Sequence, residues 1–491
     1  MTSQRILILG ASGYIGQHLT VQLSEQGHKV TAAARRIEWL EEQNWPHVKS
    51  QYIDLYKPET LAPAFENIDV VYYLVHAMGD SDDFVARERL AAQNVQNVLH
   101  GSTVKEVIFL GALQPKSGDI TRHLQARQET GNILRASGIP VTELRASIII
   151  GPGSAAFEVM RDMVYNLPVL TPPRWVRSKT SPIALENLLV YLTELLNHPA
   201  HESRLFEIAG PEYLSYQDMF KRFITISGKK RIMIPIPLPT QLISVYWLNL
   251  VTSVPTTIAS ALIEGLKHDL PADGAAIQHL IPQTLISYDN AVIETLRREE
   301  DVVHTADWGY DPEARERWRP GYGFYPKHAG HTLETSASSD ALWHTVQQIG
   351  GPEGYFYANY LWNTRAWMDD IFGGDAIYGR PDRDTLKVGD QVDSWKVLAL
   401  KPLRQLAMMF GMKAPGLGRL TFTIKELDNN KRELDVRAWW HPAGFSGLLY
   451  WFVMMPAHLF IFKGMAKRIA ELAEKEDQRK KPNPALNDPS H

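Results

Sequence analysis

Three glycines near the amino terminus, Gly10, Gly13 and Gly16, stand three residues apart between an apolar run, Arg5–Leu9, and an amphipathic stretch of helix length, Gly13–Gln26. Each suits a separate task in holding a pyrophosphate. Gly10 permits a tight turn, Gly13 lets the backbone approach the phosphates, and Gly16 lets the helix pack closely on the strand. The helix start then offers N–H groups and the positive end of its dipole to the anion. Ser12, Tyr14 and Ile15 complete the loop. The next apolar run ends in Arg35-Arg36, with no acid between Val30 and Ile37. An Asp or Glu there would hold a ribose 2′-hydroxyl, whereas an arginine accommodates a 2′-phosphate, so the pattern favours NADP over NAD.

A second group with chemical capacity lies further on. The imidazole of a histidine has a reference pKa of ~6.5, so His123 is a candidate for proton exchange. Arg127, four residues later, shares its helix face. Tyr72, Tyr73 and Ser117 are further candidates in the same region. The chain has no cysteine, which excludes disulfides, thiolate catalysis and cysteine-ligated zinc and agrees with a reducing compartment. No metal site is assigned.

The elements that must position these residues follow from the apolar rhythm. Runs at Arg5–Leu9, Lys29–Ala33, Val70–Leu74, Val107–Leu110 and Val141–Leu144 alternate with helical stretches at Gly13–Gln26, Arg87–His100 and His123–Ser137. Such alternation predicts an α/β, doubly wound parallel sheet of the Rossmann type over residues 1–150. A less regular lobe follows over 151–300, with a helix at Leu185–Leu196, a strand at Leu205–Ile208 and a helix at Ser215–Ser227 capped by Ser215. Residues 301–330 are dense in Gly, Pro and Trp and read as a linker.

After 331 the rhythm becomes α+β. A strand at Thr332–Ser336 and an N-capped helix at Ser338–Ile349 precede strands at Asp393–Leu400, Gln405–Phe410, Arg419–Glu426 and Glu433–Trp439, with a turn at Asp428–Asn430. A long helix from about Gly447 to Gln478 ends the domain near 480, and the polar tail 481–491 reads as disordered.

The bulk properties set limits. At 491 residues the chain calls for two or three domains. A net charge of −4 supplies no basic field for nucleic acid. No signal peptide is visible, so a cytoplasmic protein is expected. Two stretches carry no Lys, Arg, Asp or Glu, Ile232–Ile263 and Ala438–Phe462. Their prolines and histidines favour buried helices or pocket walls over membrane spans, and peripheral membrane contact stays open.

The spacing Gly10-x-x-Gly13-x-x-Gly16, then Arg35, Asp54-Leu55 and Leu74-Val75-His76-Ala77, resembles the atypical extended short-chain dehydrogenase/reductases, close to the NmrA-like and sugar-nucleotide-epimerase-like groups. The segments Leu144–Gly153, Ser181–Ala184 and Gly210–Tyr216 are also similar. The resemblance implies that Asp54 lies near the adenine, with Leu55 beside it. It further implies that Val75, His76 and the Leu110-Gly111 strand end line the ribose and nicotinamide. Active members carry Tyr-x-x-x-Lys where this chain has His123 and Arg127. Either His123 is the acid/base with Arg127 on the ribose or a phosphate, or chemistry is lost and the domain senses NADP(H). An epimerase or dehydratase with tightly held cofactor is a third reading.

Thr332–Gly351, with Trp343 on the first helix, resembles the start of a START-like helix-grip domain. That resemblance implies a curved antiparallel sheet around the final helix and a cavity for an apolar ligand. Trp362, Trp367, Trp395, Trp439, Trp440 and Trp451 are candidates to line it, as are Met408, Met409, Met412, Met454 and Met455, with Tyr355–Trp362 as a lid or a domain-contact element. The combined expectation is an NADP-binding oxidoreductase-like protein for an apolar or amphipathic carbonyl or quinone presented by the C-terminal domain. Its oligomeric state is not legible.

Overall fold

A computed structural model describes residues 3–76, 84–116, 120–172, 174–234, 250–255, 268–298, 319, 321–351, 354–371, 379–381, 385–411, 414–428 and 430–480. Ser117, Ala77 and Met412 lie outside these residues, as do the tail from 481, most of the expected linker and most of the uncharged 232–263 stretch. The chain forms two compact units, Met1–Tyr310 and Asp311–His491.

The first unit is built on a seven-stranded parallel sheet. Its first six strands are β1 (Arg5–Leu9), β2 (Lys29–Ala34), β3 (Val48–Tyr52), β4 (Val70–Tyr73), β5 (Glu106–Ala112) and β6 (Val141–Ala146), and Arg204–Ile208 forms the seventh. The spatial order is Arg204–Ile208, β6, β5, β4, β1, β2, β3. Alternation along β1 shows why the sheet is covered on both faces. Ile6 and Ile8 pack with Leu19, Leu23, Leu188 and Leu192, whereas Leu7 and Leu9 pack with Val95, Leu99 and Leu134. Period-two side chains thus feed two separate cores. The helices of this part are α1 (Tyr14–Glu25), α2 (Ile37–Glu42), α3 (Ala62–Phe65), α4 (Phe84–Leu99) and α5 (Arg122–Arg135). Thr121 caps α5 by accepting from the Leu124 N–H.

The order reverses at β1, which pairs with β2 on one side and β4 on the other. In open α/β sheets, the crevice at the carboxyl ends of the strands beside such a reversal is where ligands bind.

The second unit holds a six-stranded antiparallel sheet ordered Lys327–Thr335, Arg432–Pro442, Gly416–Glu426, Gln405–Phe410, Trp395–Lys401 and Gln391–Val392. The chain joins this unit before the expected boundary, since Phe324 and Tyr325 are already buried. Ser338 caps the helix Ser339–Gln347 by accepting from the Ala341 N–H. The closing helix, Gly444–Lys480, presses Ile461, Phe462, Met465, Ala466, Ile469 and Ala473 into a core shared with Leu406, Met408, Leu420, Phe422, Leu434 and Val436. Its carboxyl half is tied by Glu474 to Thr335 and by Asp477 to Ser338.

Candidate functional site

The glycine loop follows β1 and opens α1 at the reversal. Gly10 sits at φ +88°, and a Cβ there would come within 3.1 Å of the Leu74 carbonyl carbon and 3.2 Å of the Val75 nitrogen. Only glycine meets both demands. A Cβ on Gly16 would collide with the Gly10 carbonyl oxygen, so the helix lies directly on the turn. The Gly10 and Ala11 N–H groups donate to the Ala33 carbonyl, which fixes the loop beside the end of β2. Gly13 caps α1 with no side-chain hydrogen bond, and no acid lies in its first turn. The positive end of α1 therefore carries no anion of the helix's own. These features fit a dinucleotide pyrophosphate.

Other residues of this group divide between the loop and the core. Ser12 is buried, and its carbonyl accepts from the Gln17 amide. Tyr14 stacks edge-on against His18, and its hydroxyl lies where a Cβ on Gly151 would meet it at 2.5 Å. Ile15 packs on one core and Leu55 belongs to the other. Arg35 and Arg36 are exposed immediately after β2, next to the strand that anchors the loop. Asp54, after β3, accepts the Tyr56 N–H in a local turn, at the same end of the sheet.

Behind the loop, at the carboxyl ends of β4 and β5, lies a buried charged cluster. The His76 Nδ1 contacts Glu88 Oε1 from α4. The His76 ring stacks on His123 of α5, with centroids 4.7 Å apart and planes 23° from parallel. Arg127 is 5% exposed and reaches Val75 O at 3.0 Å, Glu88 Oε1 at 3.4 Å and Leu110 O. Its guanidinium also lies 4.7 Å from the Phe109 ring centroid. Burial pushes the His123 pKa down to about 3, with the charges of His76 and Arg127 acting in the same direction. Burial also lowers the His76 pKa against the raising effect of Glu88. Both imidazoles are therefore neutral near pH 7. A Nδ1–H donated to Glu88 leaves His76 Nε2 as an acceptor. That atom and His123 Nδ1 are buried without a partner among the described residues.

Several of the expected site residues are engaged in the protein's own packing. The guanidinium of Arg127, expected at the ribose or a phosphate, meets Val75 O, Leu110 O and Glu88 within the protein. It braces the carbonyls that end β4 and β5, because its buried charge needs those acceptors. Tyr72 and Tyr73 are core residues. The Tyr72 hydroxyl donates to Leu192 O at 2.7 Å, and Tyr73 packs edge-on against Phe109. At Gly111 a Cβ would meet Glu143 Oε1 at 3.0 Å, so a protein carboxylate occupies that side. Glu143 in turn pairs with Arg135 at 2.5 Å and Arg145 at 2.6 Å. Glu88 escaped the sequence reading. Its signal was available, since a carboxylate at 88 falls on the same stripe as the buried Ala91, Ala92 and Val95.

In the second unit Trp395, Trp440, Trp451, Met408 and Met409 are buried, whereas Trp367 is exposed. Tyr355 stacks on Trp362 at 4.4 Å, and the rings of Trp395, Phe410 and Trp440 continue the series.

Comparison with known proteins agrees with this division. Residues 10–162 match the family model described as "NAD(P)H-binding", and residues 329–465 match one described as "Protein of unknown function (DUF2867)". The chain is 37% identical over 191 residues to photosystem II assembly factor Ycf39 from Synechocystis sp., covering 37% of this chain and 54% of that protein. It is 26% identical over 179 residues to eugenol synthase 1 from Petunia hybrida, covering 34% and 52%. The chain thus spans about half the length of the curated relatives it matches. Among solved structures, a nucleoside-diphosphate-sugar epimerase from Staphylococcus aureus is 15% identical with a TM-score of 0.49, covering 59% of this chain and 99% of its own. A Citrobacter sp. triphenylmethane reductase complexed with NADP(H) is 17% identical with a TM-score of 0.49, at the same coverages. Residues 10–162 of the first unit thus combine a Rossmann-type parallel sheet with similarity to an NAD(P)H-binding family model.

Proposed function

We propose that the chain is an NADP(H)-dependent oxidoreductase for an apolar or amphipathic carbonyl or quinone. The observation that carries this reading is the stacked, neutral His76–His123 pair set behind the glycine loop at the sheet reversal, with a ring nitrogen of each buried and unpartnered. Gly10, Gly13 and Gly16 hold the pyrophosphate, and Arg35 with Arg36 takes the 2′-phosphate. The bound nucleotide supplies the hydride. The chain's own part is for a His123 N–H to hydrogen-bond the oxygen that gains charge and to give it that proton, which His123 regains from solvent. Glu88 holds His76 in one tautomer, with its ring stacked on His123. Arg127 keeps the ends of β4 and β5 in place beneath them. The second unit takes an apolar ligand. The Trp362 indole N–H, buried without an acceptor among the described residues, supports that role, because such a donor is unfavourable by about 1–3 kcal/mol until a ligand meets it.

The use of Arg127 as a brace favours a second reading, a sensor that binds NADP+ and NADPH with unequal affinity and turns over neither. The deciding experiment follows NADPH consumption against a panel of carbonyls and quinones. His123→Ala is expected to lower turnover by about 10²–10⁴-fold while leaving NADPH affinity nearly unchanged. No turnover by the parent protein with any of them, together with unequal affinities for the two nucleotides, establishes the sensor.

A further inference from the structure

We propose that the amino-terminal half of the closing helix seats the second unit on a membrane surface bearing anionic lipid headgroups. This does not depend on the oxidoreductase reading.

The first five turns of this helix carry no Lys, Arg, Asp or Glu, and only one side meets the sheet. Gly447, Leu448, Trp451, Ile461 and Phe462 are buried. The other side exposes Phe445 and Phe460 at 51%, Leu449 at 53%, Leu459 at 57% and Val453 at 67%. At 3.6 residues per turn, Phe445, Leu449, Val453, Pro456 and Phe460 fall within an arc of about 80° and span about 22 Å of helix axis. Lys463 and Lys467 fall within the same arc, and both are exposed. A straight hydrocarbon stripe therefore runs into two cations on one face.

The chemistry selects lipid over a protein partner. From Ala438 to Phe462 there is no charged residue, so the stripe lacks the polar rim that a protein interface carries. The first charges past the stripe, Lys463, Lys467 and Arg468, are all positive and precede Glu471, which pairs with Arg468 at 3.6 Å, and this suits an anionic headgroup layer above an acyl boundary. Aromatic residues extend the surface. Tyr357 packs 5.3 Å from the Phe460 ring, and the helix Asn359–Ile371 that follows exposes Tyr360 at 64% and Trp367 at 62%. Tyr and Trp favour the boundary between hydrocarbon and water. The helix lies on the membrane and does not cross it. Its opposite face is packed on the sheet, and its carboxyl half is tied to Thr335 and Ser338.

Flotation of the full chain with phosphatidylcholine vesicles, with and without phosphatidylglycerol, tests this directly. The protein is expected to float with the anionic vesicles and to be released in part by high salt. Leu449→Glu with Val453→Glu should reduce flotation by at least tenfold. Lys463→Glu with Lys467→Glu, which leaves every apolar contact in place, should reduce it several-fold. Circular dichroism and thermal midpoints should match the parent in each case. If the first pair does not fold, the lysine pair and quenching of tryptophan fluorescence by brominated lipid carry the test. Absence of flotation overturns the proposal, and so does flotation indifferent to both pairs. Retention in a carbonate-washed membrane pellet overturns it in favour of a spanning helix. A dimer that does not float and that Leu449→Glu dissolves overturns it in favour of a second copy of the chain.

Discussion

At the carboxyl ends of β4 and β5 the first unit buries Glu88 and Arg127, at 4% and 5% exposure, whereas on its closing helix the second unit leaves Val453 two-thirds exposed. Each region departs from the ordinary partition of charge outward and hydrocarbon inward, and in opposite directions. Buried charge is tolerated only with partners, so Arg127 draws two strand-end carbonyls and a carboxylate to itself and fixes their places. Exposed hydrocarbon needs no partner to persist, because its neighbours on the helix already hold the backbone. One departure makes a rigid, water-poor site, and the other makes a surface whose complement lies outside the chain.

Substitutions at the two regions should break or sharpen this contrast. The largest effect is expected from Glu88→Ala, which leaves Arg127 and His76 without their carboxylate in a buried setting. A loss of about 3–5 kcal/mol in urea unfolding is expected, and a loss below about 1 kcal/mol would show that the cluster does not depend on the pair. In the second unit, Leu448→Ala removes a buried side chain and should destabilise by about 2–5 kcal/mol.

Acid should act on the first unit through its buried neutral imidazoles. Burial, then the charge of Arg298, lowers His18 to about 4, and His123 lies at about 3. Since both folded values lie below the unfolded value near ~6.5, the unfolded chain binds protons first as pH falls. The stability due to these groups is thus present above about pH 6.5 and is lost progressively below it, down to about 4 for His18 and about 3 for His123. His18→Phe should flatten the upper part of that decline in unfolding midpoints, and equal midpoints at pH 7 and 5 in the parent would contradict it. For cofactor choice, Arg35→Ala should weaken NADPH by more than tenfold, about 1.4 kcal/mol, and leave NADH nearly unchanged in titration calorimetry. Equal losses would remove Arg35 from the 2′-phosphate. The smallest effect belongs to Leu449→Ala, within about 0.5 kcal/mol of the parent although it adjoins Leu448.

The sheet was legible where its strands are apolar. Each run from Arg5–Leu9 to Val141–Leu144 coincides with a strand to within two residues, and Ser215 and Ser338 cap the helices their side chains announce. β3 was not, because Val-Lys-Ser-Gln-Tyr at the sheet edge has no apolar run to mark it. The helix Tyr288–Arg297 was also missed, though Ser287 caps it. Lys327–Thr335 begins five residues before the strand read from Thr332, since its early residues alternate weakly and pair only through Arg432–Pro442.

What the sequence determined by itself is the glycine loop. Strand, turn and helix follow one another within twelve residues, and the left-handed Gly10 and the close approach at Gly16 are properties of that short backbone path. Tertiary structure alone decided the rest of the site. Glu88 meets Arg127 across 39 positions, and no local spacing discloses that a carboxylate on α4 and a guanidinium on α5 share one buried space. It also decided which of Leu448 and Leu449 faces water. A helix apolar on every side has no periodicity to orient it, so the side on which the sheet packs settles which residues become core and which become surface.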